Sequence, residues 1–354
     1  MAPNTESRIT GVLNENDTDT IDGGLAKDIT PLKGAEKRKV ELVWFNIIVF
    51  VYLSCSAFYG AYLFFARAYK WQTYIWFLFT LYMTAFGITV GAHRLWSHRS
   101  YKAKLPLRLI LLFFSTMAFQ NSIYEWSRDH RVHHKFTETD ADPHNAMRGF
   151  FFSHVGWLLC KKHPDVKTKG KTIDMSDLEA DPMLMWQHKY YGILMPLLCF
   201  IFPTLLPMYL WDETFVNAWH NTVLRWFFLV NGTWCINSVC HIFGTKPYDK
   251  NYNPAENAQI SLFTVGECWH NYHHVFPWDY KAAEFGGSFN NFSAAFIEFF
   301  AKFGWAYDMK TVPPHVIQKR VLRTGDGSHP VWGWGDKDQT GEEKKSAIIL
   351  NREL

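Results

Sequence analysis

The chain is short of net charge. Its 36 lysines and arginines face 33 aspartates and glutamates, a formal +3 over 354 residues. That balance gives no electrostatic hold on a polyanion, and no basic stripe interleaved with stacking aromatics is present, which excludes nucleic acid as a partner. Cysteine is sparse as well: Cys55, Cys160, Cys199, Cys235, Cys240 and Cys268 show no CxxC and no regular spacing. That pattern argues against a disulfide framework or a thiolate metal site, so the six are expected as reduced, mostly buried thiols. Residues 1–39 lack the apolar run of a secretory signal. They are rich in Asn, Asp, Thr and Gly and are expected to form a disordered tail.

Aromatics and long apolar runs are abundant. Aromatic residues make up 18 %, with 16 tryptophans, which suits rings placed at membrane–water boundaries. Trp71–Ala92 is uncharged over 22 residues, about 33 Å of helix and enough for a bilayer core. Tyr190–Leu210 is a second uncharged run, with Pro196, Pro203 and Pro207 expected to kink it. Val40–Ala68 and Phe215–Phe243 are apolar with few interruptions, and Leu105–Gln120 is short for a crossing.

Histidine carries the chemistry. Eight of 16 fall in three short clusters: His93 and His98 in HRLWSH; His130, His133 and His134 in HRVHH; His270, His273 and His274 in HNYHH. Imidazole is a common ligand for iron, copper and zinc. Eight donors exceed one ion's needs, so a two-ion site is expected. In each triplet the first and last histidines are i,i+4 and share a helical face, while the middle one sits at i+3. His93 and His98 are five apart, awkward for an α-helix, so the helix end is expected to distort there. His241, one turn after Asn237, is a further candidate because ionisable groups in apolar spans are usually functional; a helix-end histidine bonded to backbone is the plain alternative. His144, Asp129 and Glu267 are candidates to orient ligands. His154, His163, His188, His220, His315 and His329 are expected to be structural or surface residues. Asn16 and Asn231 match a glycosylation pattern by chance.

Clusters that share ions must lie on one side of a membrane, so an even number of crossings separates them. This predicts an all-α integral membrane protein: four transmembrane helices (about 42–66, 71–92, 190–210 and 217–241), an interfacial helix at about 105–120, and a cytosolic helical cap carrying the di-metal site. The core domain covers 40–324, and a flexible cytosolic C-terminal tail follows over 325–354. The segment after the second span holds Arg94, Arg99, Lys102, Lys104, Arg108, Arg128, Arg131 and Lys135, against only Asp212 and Glu213 in the link 211–214. The positive-inside rule therefore places the clusters and both termini in the cytosol.

GAHRLWSH, NSIYEWSRDHRVHHKF, DPHNAMRGFFFSHVGW, NSVCH, GECWHNYHHVFPWDY and RTGDG together resemble the membrane acyl-CoA desaturases, from about Leu42 to Gly327. The resemblance implies two iron ions (Fe2+) held by nine histidines. One would take His93, His98, His130, His134 and His274; the other would take His133, His241, His270 and His273, with Asn237 through a water. It also implies an endoplasmic-reticulum enzyme that inserts a cis double bond into a saturated C16–C18 fatty acyl-CoA. Dioxygen would be the oxidant, with electrons from cytochrome b5 and its NADH-dependent reductase. Arg128, Asp129, Lys161 and Lys162 match positions that contact the CoA headgroup; Asn46, Asn121 and Trp234 match residues near the pantetheine and thioester. NPAE (253–256) and GWGD (333–336) resemble insect delta-9 enzymes more than the pheromone-gland delta-11 group. The alternatives are delta-11 or another regioselectivity, a membrane metal transporter, and a non-catalytic lipid-binding relative.

Overall fold

The computed structural model describes residues 40–285, 290–332 and 341–346. The expected N-terminal tail and the GWGD motif lie outside them. The described chain is mostly helical; its one small sheet pairs Lys102–Ala103 with Ala306–Tyr307.

Among the described residues, three helices are long and apolar enough to cross a membrane: α1 (Trp44–Phe65), α2 (Trp71–Ser97) and α5 (Pro182–Trp211). Between them lie α3 (Leu105–Thr116) and α4 (Ile123–Lys135). At 12 residues, or about 18 Å, α3 cannot span a bilayer. Then follow α6 (Phe215–Ile242), α7 (His270–Val275) and α8 (Phe292–Lys302).

Several expected bounds shift for physical reasons. Helix α2 runs past Ala92 because its last 11 residues, Gly87–Ser97, widen into a π-helix. Helix α5 begins eight residues before the apolar run. Asp181 caps it by accepting from the Met183 N–H at 3.1 Å, with Pro182 in the first turn. Pro196 gives way to a π-helical stretch, Leu197–Ile201. Helix α6 has the length of a span, 28 residues, but its composition does not read as one. Its polar groups turn inward: the buried Arg225 guanidinium donates to the carbonyls of Met117 (3.0 Å) and Cys199 (2.8 Å). Phe50 and Phe58 of α1 pack on Trp226 and Phe227 along it.

The expected C-terminal tail starts too early. His329 is buried with its Nε2 2.9 Å from Glu284, and the Asp326 carboxylate accepts from the Lys246 N–H at 2.6 Å, so 325–332 packs on the body. The cysteine expectation also needs correction. Cys240 and Cys268 are joined, while Cys160 and Cys199 are buried free thiols and Cys55 is exposed. The joined residues are 28 apart in the chain, and only the fold brings them together.

Helices α2 and α3 meet backbone to backbone at Gly87, where a Cβ would lie 2.3 Å from the Ser115 nitrogen and 2.5 Å from the Phe114 carbonyl carbon. Neither atom can yield without moving α3. Gly87→Ala is expected to cost about 3 kcal/mol, read as a lowered thermal midpoint in detergent. Gly192→Ala, where a Cβ meets nothing within 4 Å, leaves the midpoint unchanged or raises it.

Candidate metal centre

The π-helical end of α2 explains the spacing of its histidines. In a π-helix the hydrogen bond runs from i to i+5, and the His98 N–H donates to the His93 carbonyl at 3.1 Å. The wider turn brings residues five apart closer to one face than an α-helix would, and the two rings lie 4.9 Å apart between centroids. Ser122 caps helix α4: its Oγ accepts from the Glu125 N–H at 3.3 Å and donates to the Glu125 carboxylate at 3.2 Å. That fixes the start of the helix carrying His130, His133 and His134. His241 ends α6, and α7 supplies His270, His273 and His274.

These side chains converge into two sets. The first is His93, His98, His130, His134 and His273; the second is His133, His241, His270 and His274. The division expected from the resemblance is therefore corrected, with His273 and His274 exchanging places. The reason is helical geometry. His270 and His274 are i,i+4 on one stripe of α7, with Nε2 atoms 3.1 Å apart, while His273 is rotated away and reaches His93 at 2.9 Å. Helix α4 splits the same way, with His130 and His134 in one set and His133 in the other.

Facing Nε2 atoms stand 2.8 Å (His98–His130), 2.9 Å (His93–His273), 3.0 Å (His134–His273), 3.0 Å (His241–His270) and 3.1 Å (His270–His274) apart. Two nitrogens at right angles around a shared ion with bonds of about 2.1 Å would be about 3.0 Å apart. Neutral imidazoles satisfy one another only in part here: each ring has one N–H and one lone-pair nitrogen, and the Nε2 atoms of His273 and His270 each face two other rings. Burial, reinforced by the neighbouring rings, holds His130, His133, His134, His270, His273 and His274 well below the usual imidazole range. Their lone pairs are therefore free of protons at neutral pH. An all-imidazole set of this kind fits iron, copper or zinc rather than magnesium or calcium.

Carboxylates fix the rings from behind. Glu267 accepts from His93 Nδ1 at 2.8 Å and from the buried Arg94 guanidinium at 2.7 Å, fulfilling the orienting role expected of it. Burial alone would raise the Glu267 carboxyl, but Arg94 and His93 outweigh it and bring it below the ordinary carboxylate range. Asp142 takes His133 Nδ1 at 2.9 Å and lies 3.6 Å from His144, whose ring packs on His133. Glu138 lies 3.6 Å from His241 Nδ1. Sequence reasoning missed Asp142 and Glu138; the acidic run after the second cluster, TETDAD, was the available signal. Asp129 does not orient a ligand. One residue before His130, it points about 100° away around the helix, where it pairs with Arg128 and Lys162.

A cavity of about 200 Å³ adjoins the first set. Asn46, Asn121, Trp234, Asn237, His130 and His144 line it, and Phe50, Phe119 and Trp226 supply apolar wall. The Asn46 amide donates to the Leu158 carbonyl at 2.7 Å. A wider surface depression of about 840 Å³ is lined by Arg128, Asp129, Lys162, Lys167 and Lys171. Asp129 belongs to both walls. Lys161 lies outside both; its ammonium meets Glu41 at 2.6 Å.

A family model described as fatty acid desaturase matches residues 69–310. The chain belongs to the fatty acid desaturase family. It is 59 % identical over 360 residues to an acyl-CoA Delta-9 desaturase of Acheta domesticus, covering 99 % of both chains. An acyl-CoA Delta12-desaturase of the same cricket is 53 % identical, again over 99 % of each chain. An acyl-CoA Delta(11) desaturase of Trichoplusia ni is 52 % identical over 88 % of this chain and 90 % of its own. As a desaturase this chain is an oxidoreductase, and its histidine clusters are the metal-binding feature of that identity.

Proposed function

We propose that this desaturase inserts a cis double bond at delta-9 of saturated C16–C18 fatty acyl-CoA. One observation carries the reading. The apolar cavity touches His130 of the first metal set and shares Asp129 with the basic depression, so one ligand with a polyanionic head and an apolar tail fits both. In the depression Arg128, Lys162, Lys167 and Lys171 would hold the phosphates of CoA. Asn46, Asn121 and Trp234 would meet the pantetheine and thioester, while Phe50, Phe119 and Trp226 guide the chain and exclude water. The nine histidines would hold two irons. Bound iron would activate dioxygen, which takes two electrons from a donor and two from the substrate to become two waters.

The proposed donor is cytochrome b5 with its NADH-dependent reductase, and the proposed setting is the endoplasmic-reticulum membrane. There α1, α2, α5 and α6 would make four crossings, with both termini and the histidine cap in the cytosol. The loop charges support that orientation. Inward burial of polar groups along α6 supports its counting as a crossing. Delta-9 is favoured because the Delta-9 relative above shares more identity with this chain than the Delta12 and Delta(11) ones.

Expression in a desaturase-deficient yeast, with double bonds located by mass spectrometry, tests this. The expected products are delta-9 monoenes of 16 and 18 carbons; delta-11 or delta-12 products alone would overturn the regiochemistry. The headgroup reading makes a separate prediction. Lys162→Ala raises the KM for acyl-CoA about 10-fold with kcat nearly intact, the effect of losing one charge-assisted contact. Lys161→Ala, turned toward Glu41, leaves both parameters near their starting values.

A further inference from the structure

We propose that the Cys240–Cys268 bridge is a positioning element of the metal centre, and that its redox state governs how firmly the second ion is held. Cys240 directly precedes His241, a member of the second set. Cys268 directly follows Glu267, which holds His93, and stands two residues before His270. The bond thus ties the end of α6 to the segment that leads into α7. Residues 255–257 reinforce the same junction. The Ala255 N–H donates to the Cys240 carbonyl at 2.7 Å, and the Asn257 N–H donates to the Cys268 carbonyl at 2.8 Å.

Helix α7 needs such a tether. It has six residues, its own N-cap residue Trp269 makes no side-chain cap, and its first turn is held from the 255–257 segment, where the Glu256 carboxylate accepts from the Tyr272 N–H at 2.7 Å. A helix that short has no stability of its own, so its place depends on what holds its ends. His241 and His270 face each other at 3.0 Å from separate elements. Before an ion binds, neutral imidazoles offer little to keep those elements together, whereas the covalent link does.

Forming the bridge takes two electrons and two protons from two thiols; dioxygen accepts them and becomes hydrogen peroxide as the S–S bond forms. Disulfides are uncommon in reducing compartments because thiolates attack them. Both half-cystines here are fully buried, so no outside thiolate reaches the sulfurs while the fold is closed.

Thiol counting and ion release test the proposal. Protein purified without reductant is denatured and alkylated, and two fewer cysteines are expected to react than after reduction. Release of iron to a chelator is then followed well below the thermal midpoint. In Cys240→Ala/Cys268→Ala protein the second-set ion, which takes His241, His270 and His274 from the tethered elements, is expected to leave about 10-fold faster, the scale seen when a group orienting a ligand is lost, while the first-set ion, which takes only His273 from α7, is accelerated clearly less. A phosphine reductant applied to the unsubstituted protein long enough for local opening produces the same change and does nothing further to the variant. If the variant fails to fold, the reductant experiment stands alone. Six reactive cysteines before reduction, unchanged release, or equal acceleration of both ions would overturn the proposal; equal acceleration is what a merely structural role gives. The inference rests on the two-ion reading. A chain that holds no ion fails that reading, whereas the thiol count alone fails the bridge.

Discussion

His98→Ala/His273→Ala protein keeps one metal ion per chain, and His241→Ala/His273→Ala protein keeps none, when each is reconstituted anaerobically, washed briefly with chelator and analysed for metal. Desaturation falls below detection in both. The contrast follows from the facing nitrogens. His273 stands 2.9 Å from His93 and 3.0 Å from His134, both in the set that contains His98. Two lesions in one set therefore disable one ion, whereas His241 and His273 lie in different sets and together disable both. The division expected from the resemblance placed His273 with His241, and it predicts the opposite outcome for each double variant. The experiment distinguishes the two arrangements without a bound-state structure.

Asp142→Asn weakens retention of the second ion by about 10- to 100-fold. The Asp142 carboxylate can only accept, so it holds the proton of His133 on Nδ1 at 2.9 Å and leaves Nε2 free for metal. An asparagine amide can turn its NH2 toward Nδ1, which drives the proton to Nε2 and blocks the donor. Competition with a metal-sensing dye measures the loss. Because Asp142 touches only the second set, the first ion keeps its affinity. Glu267→Gln acts on the first set through His93, and it also strands the Arg94 guanidinium. Losing one partner of a buried ion pair costs about 3–5 kcal/mol, so that variant loses fold stability along with its ion.

How much of this was legible in the sequence depended on how local each feature is. The five-residue spacing of His93 and His98 pointed to a distorted helix end because periodicity acts over a single turn, and the π-helix over Gly87–Ser97 is that distortion. Eight of the nine converging imidazoles were legible because they fall in three short clusters; His241 stood open between a ligand and a helix-end histidine bonded to backbone. The division of the nine between ions was not legible, since it depends on how the six-residue α7 is rotated against α2 and α6. Lys161 and Lys162 are neighbours in the chain but face different ways, one to Glu41 and one to Asp129; composition cannot separate them. The long polar-studded α6 read as an interrupted apolar run because its polar groups are satisfied by partners far away in sequence, as Arg225 is by Met117. Asp142 was signalled only by the acidic run TETDAD, because the turn after α4 has to fold it back onto His133; the Cys240–Cys268 pair was invisible, since the docking of α7, not spacing, brings the two together.

Metal analysis of protein purified and reconstituted without oxygen tests the central claim most directly. Two irons per chain, falling to one in the His98→Ala/His273→Ala double variant, is the predicted result. Fewer than one iron per chain in the unsubstituted protein would contradict a centre built from nine histidines.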